Sequence, residues 1–131
     1  MATTAQLVTG VDFVPFSTED LDTAMDFYGT KLGLPCSVYV RERNYAEFET
    51  GNVTLSLVVG EKLGIGHHVH RTALALHVDD VAAAREELEQ RGVKFHGDIL
   101  DTGVCHMAFF ADPDGNALML HHRYAPRAAQ S

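Results

Sequence analysis

The sequence predicts an α+β fold built from two strand–helix–three-strand modules. The same order of local signals runs through the chain twice. Each run opens its helix on an Asp-Leu or Asp-Val pair and ends in a Gly-Asn turn before a final strand. Aligning Asp20-Leu21 with Asp80-Val81, and Gly51-Asn52 with Gly115-Asn116, leaves a four-residue insertion in a hairpin of the second half. One such unit cannot bury its own sheet, so the two are expected to share a core. A single domain over residues 1–131 is predicted: module one at about 10–59, a connector at 60–70 and module two at about 71–123.

The elements follow in order. Residues 1–10 are small and polar and are expected to be frayed. Val11 to Phe16 reads as a strand. Ser17-Thr18-Glu19-Asp20 opens a helix, with Thr18 or Ser17 as the expected N-cap and acids in the first turn. Leu21, Ala24, Met25, Tyr28 and Leu32 make one apolar helical stripe, which Gly33 and Pro35 end. Strands follow at Ser37–Arg41, Tyr45–Glu49 and Val53–Val59, the last two joined by Thr50-Gly51-Asn52. Gly60 to His70 has no periodicity and connects the halves. Thr72–Val78 starts the second half, Asp79-Asp80 opens a helix striped by Val81, Ala84 and Leu88, and Gly92 caps it. Val93–Ile99, Cys105–Ala111 and Ala117–Arg123 complete the set. Asp112-Pro-Asp-Gly-Asn116 is the turn before the last strand, where Pro fixes one dihedral and Gly supplies positive φ.

Composition excludes several classes. With 131 residues, 46% apolar and 21% charged, the chain is an ordinary globular domain able to bury a core without staples. No apolar run is long enough to span a bilayer, and the N-terminus lacks the pattern of a signal peptide. Cys36 and Cys105 fit no zinc, redox or disulfide spacing, so a cytoplasmic setting is expected. A net charge of −8 without a basic cluster makes nucleic acid and anionic membrane poor partners.

Two segments carry a resemblance to a known family: Asp20-Leu-Asp-Thr-Ala-Met-Asp-Phe-Tyr28 with Leu32-Gly33-Leu34, and Phe109-Phe-Ala-Asp-Pro-Asp-Gly-Asn116. With the repeated module, they make residues 10–123 similar to the vicinal oxygen chelate superfamily. That group holds glyoxalase I, extradiol dioxygenases, fosfomycin-resistance enzymes and bleomycin-resistance proteins. The resemblance implies a curved mixed sheet around a cup-shaped cavity, with helices on its outer face. It also implies a homodimer, formed side to side or by exchange of halves. In metal-dependent members the ion is held by His, Gln or Glu from the first and last strand of each module. Those positions fall here on Phe13, Ala73, Met119 and, through the internal repeat, Leu55. Phenyl and methyl groups cannot ligate a metal, so no metal and no cofactor is expected.

Strand alternation then outlines the expected cup. Phe13, Leu55, Leu57, Ala73 and Met119 give apolar walls, with His77 and His121 as polar handles. Tyr39 and Tyr45 flank a hairpin tip, Arg41 to Asn44, and could stack on an aromatic ligand. Such a cavity suits an apolar or aromatic small molecule. The expected function is therefore metal-free binding, as in antibiotic-sequestering resistance proteins. The alternative is a glyoxalase-like lyase, isomerase or dioxygenase with His77 or His121 as base. His67-His68-Val69-His70 matches no metal spacing and reads as an exposed loop or an adventitious metal binder; the connector could also fold over the cup as a lid with Leu63, Ile65 and Val69.

Overall fold

The computed structural model describes residues 5–127; the first four of the small polar residues 1–10 lie outside it. Its strands are β1 (Phe13–Ser17), β2 (Cys36–Val40), β3 (Tyr45–Glu49), β4 (Thr54–Val58), β5 (Leu74–His77), β6 (Phe95–Asp101), β7 (Cys105–Ala111) and β8 (Ala117–Arg123). Helix α1 (Leu21–Met25) widens into a π-helical turn over Asp26–Lys31, and α2 covers Val81–Gln90. The strands form two four-stranded mixed sheets of identical layout, β1-β4-β3-β2 and β5-β8-β7-β6. In each, the first and last strands are parallel and the others antiparallel. The fold is α+β with two modules, as the repeat predicts.

Both helices start alike. Asp20 and Asp80 are extended residues whose carboxylates accept from the amides of Thr23 and Ala83, at 3.1 and 3.0 Å. The cap of α1 is thus Asp20, not Thr18 or Ser17. Thr18 is buried, and its hydroxyl donates to the Asp20 carbonyl at 2.9 Å, so it braces the turn that presents the cap. The carboxyl of Asp20 is held below its ordinary value by its bond from the Thr23 amide.

One face of each sheet carries the helix, and both helix-bearing faces feed one core. Phe16, Tyr28, Phe48, Leu55 and Leu57 from module one join Leu88, Phe110, Leu118 and Leu120 from module two. Phe27 of the π-turn meets Phe110 with ring centroids 6.3 Å apart. Arg91, at the end of α2, donates to the Lys31 carbonyl at 2.9 Å.

The junction is fastened by a polar knot. Asp112, in the β7–β8 turn, is buried. Its Oδ1 accepts from the amides of Asp114 and Asn116 at 2.9 Å each, and its Oδ2 from the Tyr28 hydroxyl at 2.7 Å and the Asn116 side chain at 2.8 Å. The same Asn116 amide group donates to the Ser17 carbonyl at 2.9 Å. A single turn of module two therefore grips both β1 and the helix of module one. Gly115 makes this turn possible, because its φ of 93° is one that side-chain-bearing residues rarely adopt. Burial, and then the neighbouring Asp112 charge, push the Tyr28 phenol far above its ordinary value.

Tyr28→Phe removes one bond to a buried carboxylate without changing the packing volume. It is expected to cost about 1.5–3 kcal/mol, read as a lower urea midpoint at unchanged slope. A midpoint equal to that of the parent protein would show that the knot does not hold the modules together.

Candidate functional site

Each sheet has a second face, turned away from the shared core. In module two the register fixes its members. Leu74 and Leu76 pair with the buried Leu118 and Leu120, so Ala75 with Met119 and His77 with His121 lie on the opposite face. Alternation adds Ala73 and Ala117, and the β7 pairing adds Met107 and Phe109. This face is built of small and apolar side chains with two imidazoles at one end. A cavity of about 620 Å³ opens on it, lined by Val69, Arg71, Ala73, His96, Phe109 and Ala117 among others. Five of the expected site residues thus keep the predicted face: Phe13 in module one and Ala73, His77, Met119 and His121 in module two.

Module one departs from expectation at β4. Phe13 and Pro15 pair in register with Thr54 and Ser56, whereas Val14 and Phe16 pair with Leu55 and Leu57. Leu55 and Leu57 are therefore core residues, 1% and 0% exposed, and not part of the open face. The cause is turn length. Residues 50–53 separate Glu49 from Thr54, but residues 112–116 separate the equivalent pair Ala111 and Ala117. One residue fewer in the first turn reverses which side chains reach which face. Ser56, not Leu55, is the counterpart of Met119.

The open face of module one is accordingly polar. Tyr45, Glu47 and Glu49 of β3 stand beside Val58, Ser56 and Thr54 of β4. Thr54 donates to Glu49 at 2.6 Å, and the Glu49 carboxyl is held below its ordinary value by its bonds from Ser37 and Thr54. The Tyr45 hydroxyl donates to Glu47. Burial, then this acceptor and its charge, push the Tyr45 phenol up to about 12. The buried Ser56 hydroxyl has no well-formed hydrogen bond of its own, although it lies near enough to the Tyr45 phenol to oppose that rise. None of this polar patch except Tyr45 was singled out from the sequence. The alternation Tyr45, Glu47, Glu49 was the available signal, and it was masked by the face assigned to β4.

Tyr39 does not join Tyr45. It pairs with the buried Ala46 and so lies on the helix-bearing side, where Arg41 donates to its hydroxyl at 2.9 Å and to Asp22 of α1 at 3.3 Å. Those side chains, with Val59 and Lys62, border a separate open hollow of about 480 Å³. His77 is largely exposed, with Nε2 3.3 Å from Asp79 Oδ1. A third opening, about 760 Å³, lies between the modules, where Val11, Val14 and Leu34 face Leu74, Leu76 and Arg91. The connector is not a lid made by Leu63 and Ile65, which are 45% and 62% exposed. Only Val69, of the three lid candidates, borders the cavity on module two.

The metal positions of related folds become testable here as chemistry. With the corrected register they hold Phe13, Ser56, Ala73 and Met119. A phenyl ring, a neutral hydroxyl, a methyl group and a thioether offer no anionic or imidazole donor. The residues present do not fit a catalytic divalent ion at that place.

The chain belongs to the Glyoxalase/Bleomycin resistance protein/Dioxygenase superfamily, whose family model matches residues 10–120. It is 30% identical to the uncharacterized protein YraH of Bacillus subtilis (strain 168), over 78% of this chain and 89% of that one. Among solved structures, the antibiotic-binding protein TnmS3 from Streptomyces sp. CB03234 is similar with a TM-score of 0.77 at 24% identity, covering 91% of this chain and 99% of that one. A lactoylglutathione lyase from Agrobacterium tumefaciens is similar with a TM-score of 0.75 at 17% identity, covering 87% and 93%. These two likenesses concern the fold, which carries both binding and catalysis in other hands. No helix among the described residues is long and apolar enough to cross a membrane.

The Tyr45 phenol gives the open face of module one an observable. Its pKa is raised on folding, so its contribution to stability is complete below the ordinary phenol value near ~10 and is lost as pH rises towards about 12. Relative to Tyr45→Phe, the parent protein should lose stability across that interval, and difference absorbance should place one phenol near the top of it. A parent-minus-Tyr45→Phe phenolate signal complete by pH ~10.5, with no gap between the two stability curves, would place Tyr45 in open water.

Proposed function

We propose that this chain is a small-molecule-binding protein that acts without a catalytic metal, in the manner of the antibiotic-sequestering members of its family. The observation that carries the reading is the pairing of an apolar open face with family metal positions occupied by Phe13, Ser56, Ala73 and Met119. Sequestration asks only for affinity. A broad wall of Ala73, Ala75, Ala117, Met119 and Phe109 offers apolar contact area, and His77 and His121 supply orientation at its end. The likeness to an antibiotic-binding protein of 24% identity supports this choice without deciding it.

The cup itself is read as a property of a homodimer. Within one chain the helix-bearing faces meet around the core, so each open face looks outward. Two chains related by a two-fold axis would set the polar face of module one, with Tyr45, Glu47 and Glu49, opposite the apolar face of module two. The ligand suited to that chamber has a flat or greasy body and a donor or cationic edge that a carboxylate can accept. The half-buried setting of Tyr45 and Glu47 gives such an edge something to replace.

The test is direct. Sedimentation should report a dimer. A thermal-shift screen of bleomycin and planar aromatic antibiotics should yield a saturable ligand whose binding persists in a chelator. Ala73→Trp should abolish that binding with stability within about 0.5 kcal/mol of the parent, because the indole enters open space and not a packed core. A monomer that turns over lactoylglutathione with stoichiometric metal at this face would overturn the proposal in favour of an enzyme using His77 or His121. A large stability loss in Ala73→Trp, with no ligand found, would show that the open face is packing surface.

A further inference from the structure

The histidine-rich stretch of the connector, His67 to His70, takes no part in the open face of either sheet through its imidazoles at 67 and 68. Along the sequence its nearest acid is Glu61. In space it gains two others. Glu19 lies in the turn from β1 to α1, and Asp114 at the tip of the β7–β8 turn. The Glu19 amide donates to Asp114 Oδ1 at 2.9 Å, which holds the two acids side by side. His67 Nε2 stands 3.4 Å from Glu19 Oε1 and 3.9 Å from Asp114 Oδ1. One donor atom from each residue lies within 4.8 Å of the other two, the one convergence of three such groups among the described residues.

These distances are too long for charge-assisted hydrogen bonds, which run at about 2.7–2.9 Å. The 3.4 Å separation matches an edge of a tetrahedral shell, in which donors at about 2.0–2.1 Å from the ion stand roughly 3.3–3.5 Å apart, and the 3.9 Å one closes to it with a small turn of the Asp114 side chain. The site is also built. The side chains of His67 and Asp114 are 15% and 10% exposed, whereas Glu19 is 68% exposed and closes the group from the solvent side. His67 Nδ1 is buried without a partner, so the ring's polar engagement is through Nε2 alone. The connector is fixed on both sides of the ring. Before it, the amides of Ile65 and Gly66 converge on the Gly60 carbonyl, and a Cβ at Gly60 would stand 1.9 Å from the Gly66 carbonyl oxygen. After it, the His68 amide donates to Ser17 Oγ at 3.2 Å and the His70 amide to Asn116 Oδ1 at 3.1 Å.

We infer that Glu19, His67 and Asp114 form a binding site for a divalent transition-metal ion of the zinc type, with one imidazole nitrogen, two carboxylate oxygens and a fourth position open to water. The site lies outside the family's metal positions and is independent of the ligand-binding reading above. Its donors come from module one, the connector and module two, so a bound ion ties all three together. Because the donors converge only in the folded chain, binding stabilises the native state in proportion to the logarithm of saturation.

The experiment uses the full chain, freed of metal with a chelator and then titrated with zinc chloride or cobalt(II) chloride. One ion per chain, a rise in melting temperature of several degrees, and the strong visible absorption of four-coordinate cobalt(II) are expected. Magnesium chloride should give neither effect. His67→Asn and Asp114→Asn should weaken zinc binding by at least about tenfold, the scale on which even indirect support of a metal ligand is felt. Glu19→Gln, at an exposed position that leaves the fold intact, should do the same. His68→Asn and His121→Asn should bind as the parent does. Absence of micromolar zinc or cobalt binding would overturn the assignment. So would binding that survives both His67→Asn and Glu19→Gln, or binding lost in His68→Asn or His121→Asn.

Discussion

The structure hangs on the carboxylate of Asp112. A buried acceptor of four hydrogen bonds is costly to leave unfilled; three of them come from its own turn and the fourth from the Tyr28 hydroxyl across the junction. The Asp114 and Asn116 amides shape the turn, the Asn116 side chain carries the link on to Ser17 of β1, and the Tyr28 hydroxyl brings in the helical segment of module one. The apolar core around it is permissive in comparison, since many arrangements of Phe and Leu fill space. The carboxylate specifies which arrangement. It also sets the positions of Asp114 and His70, and through them the path of the connector.

Much of this could be read from residue order. The duplicated module, the helix openings at Asp20 and Asp80, and the β7 and β8 bounds are local statements, made by caps, stripes and turns whose chemistry acts over a few residues. The family resemblance rested on the same short segments. What failed was what depends on pairing. The face of β4 turns on whether four or five residues separate it from β3, and the Gly-Asn signature looks the same in both cases. Tyr39 and Tyr45 bracket one hairpin tip, yet the turn between them is a 3₁₀ turn ending in a left-handed Asn44, which leaves the two rings on opposite faces. His67 was read as exposed because its partners lie in two distant turns, and no spacing rule reaches across that distance.

The corrected register changes the character of the site. A cup with four apolar walls would select for greasiness alone. In the proposed dimer, an apolar sheet face set against one carrying Tyr45, Glu47 and Glu49 would instead permit orientation, since a ligand with a polar edge loses a partner when it is reversed. The two halves of the repeat have kept their backbone layout while their open faces have diverged completely. A one-residue change in a hairpin turn is enough to begin that divergence, because it exchanges the inward and outward residues of a whole strand at once.

The span of the junction has a consequence for how the chain is made. Tyr28 and Asp112 are 84 positions apart, and Ser17 and Asn116 are 99 apart. During synthesis, module one emerges with its phenol and its Phe27 ring facing a surface that does not yet exist. Contacts of such long range close late and slow the search for the native state. Until residue 116 has left the ribosome, the nascent half exposes an apolar flank that another nascent copy could cover equally well. Closure of the junction within one chain therefore competes, through that interval, with any other apolar surface the nascent half meets.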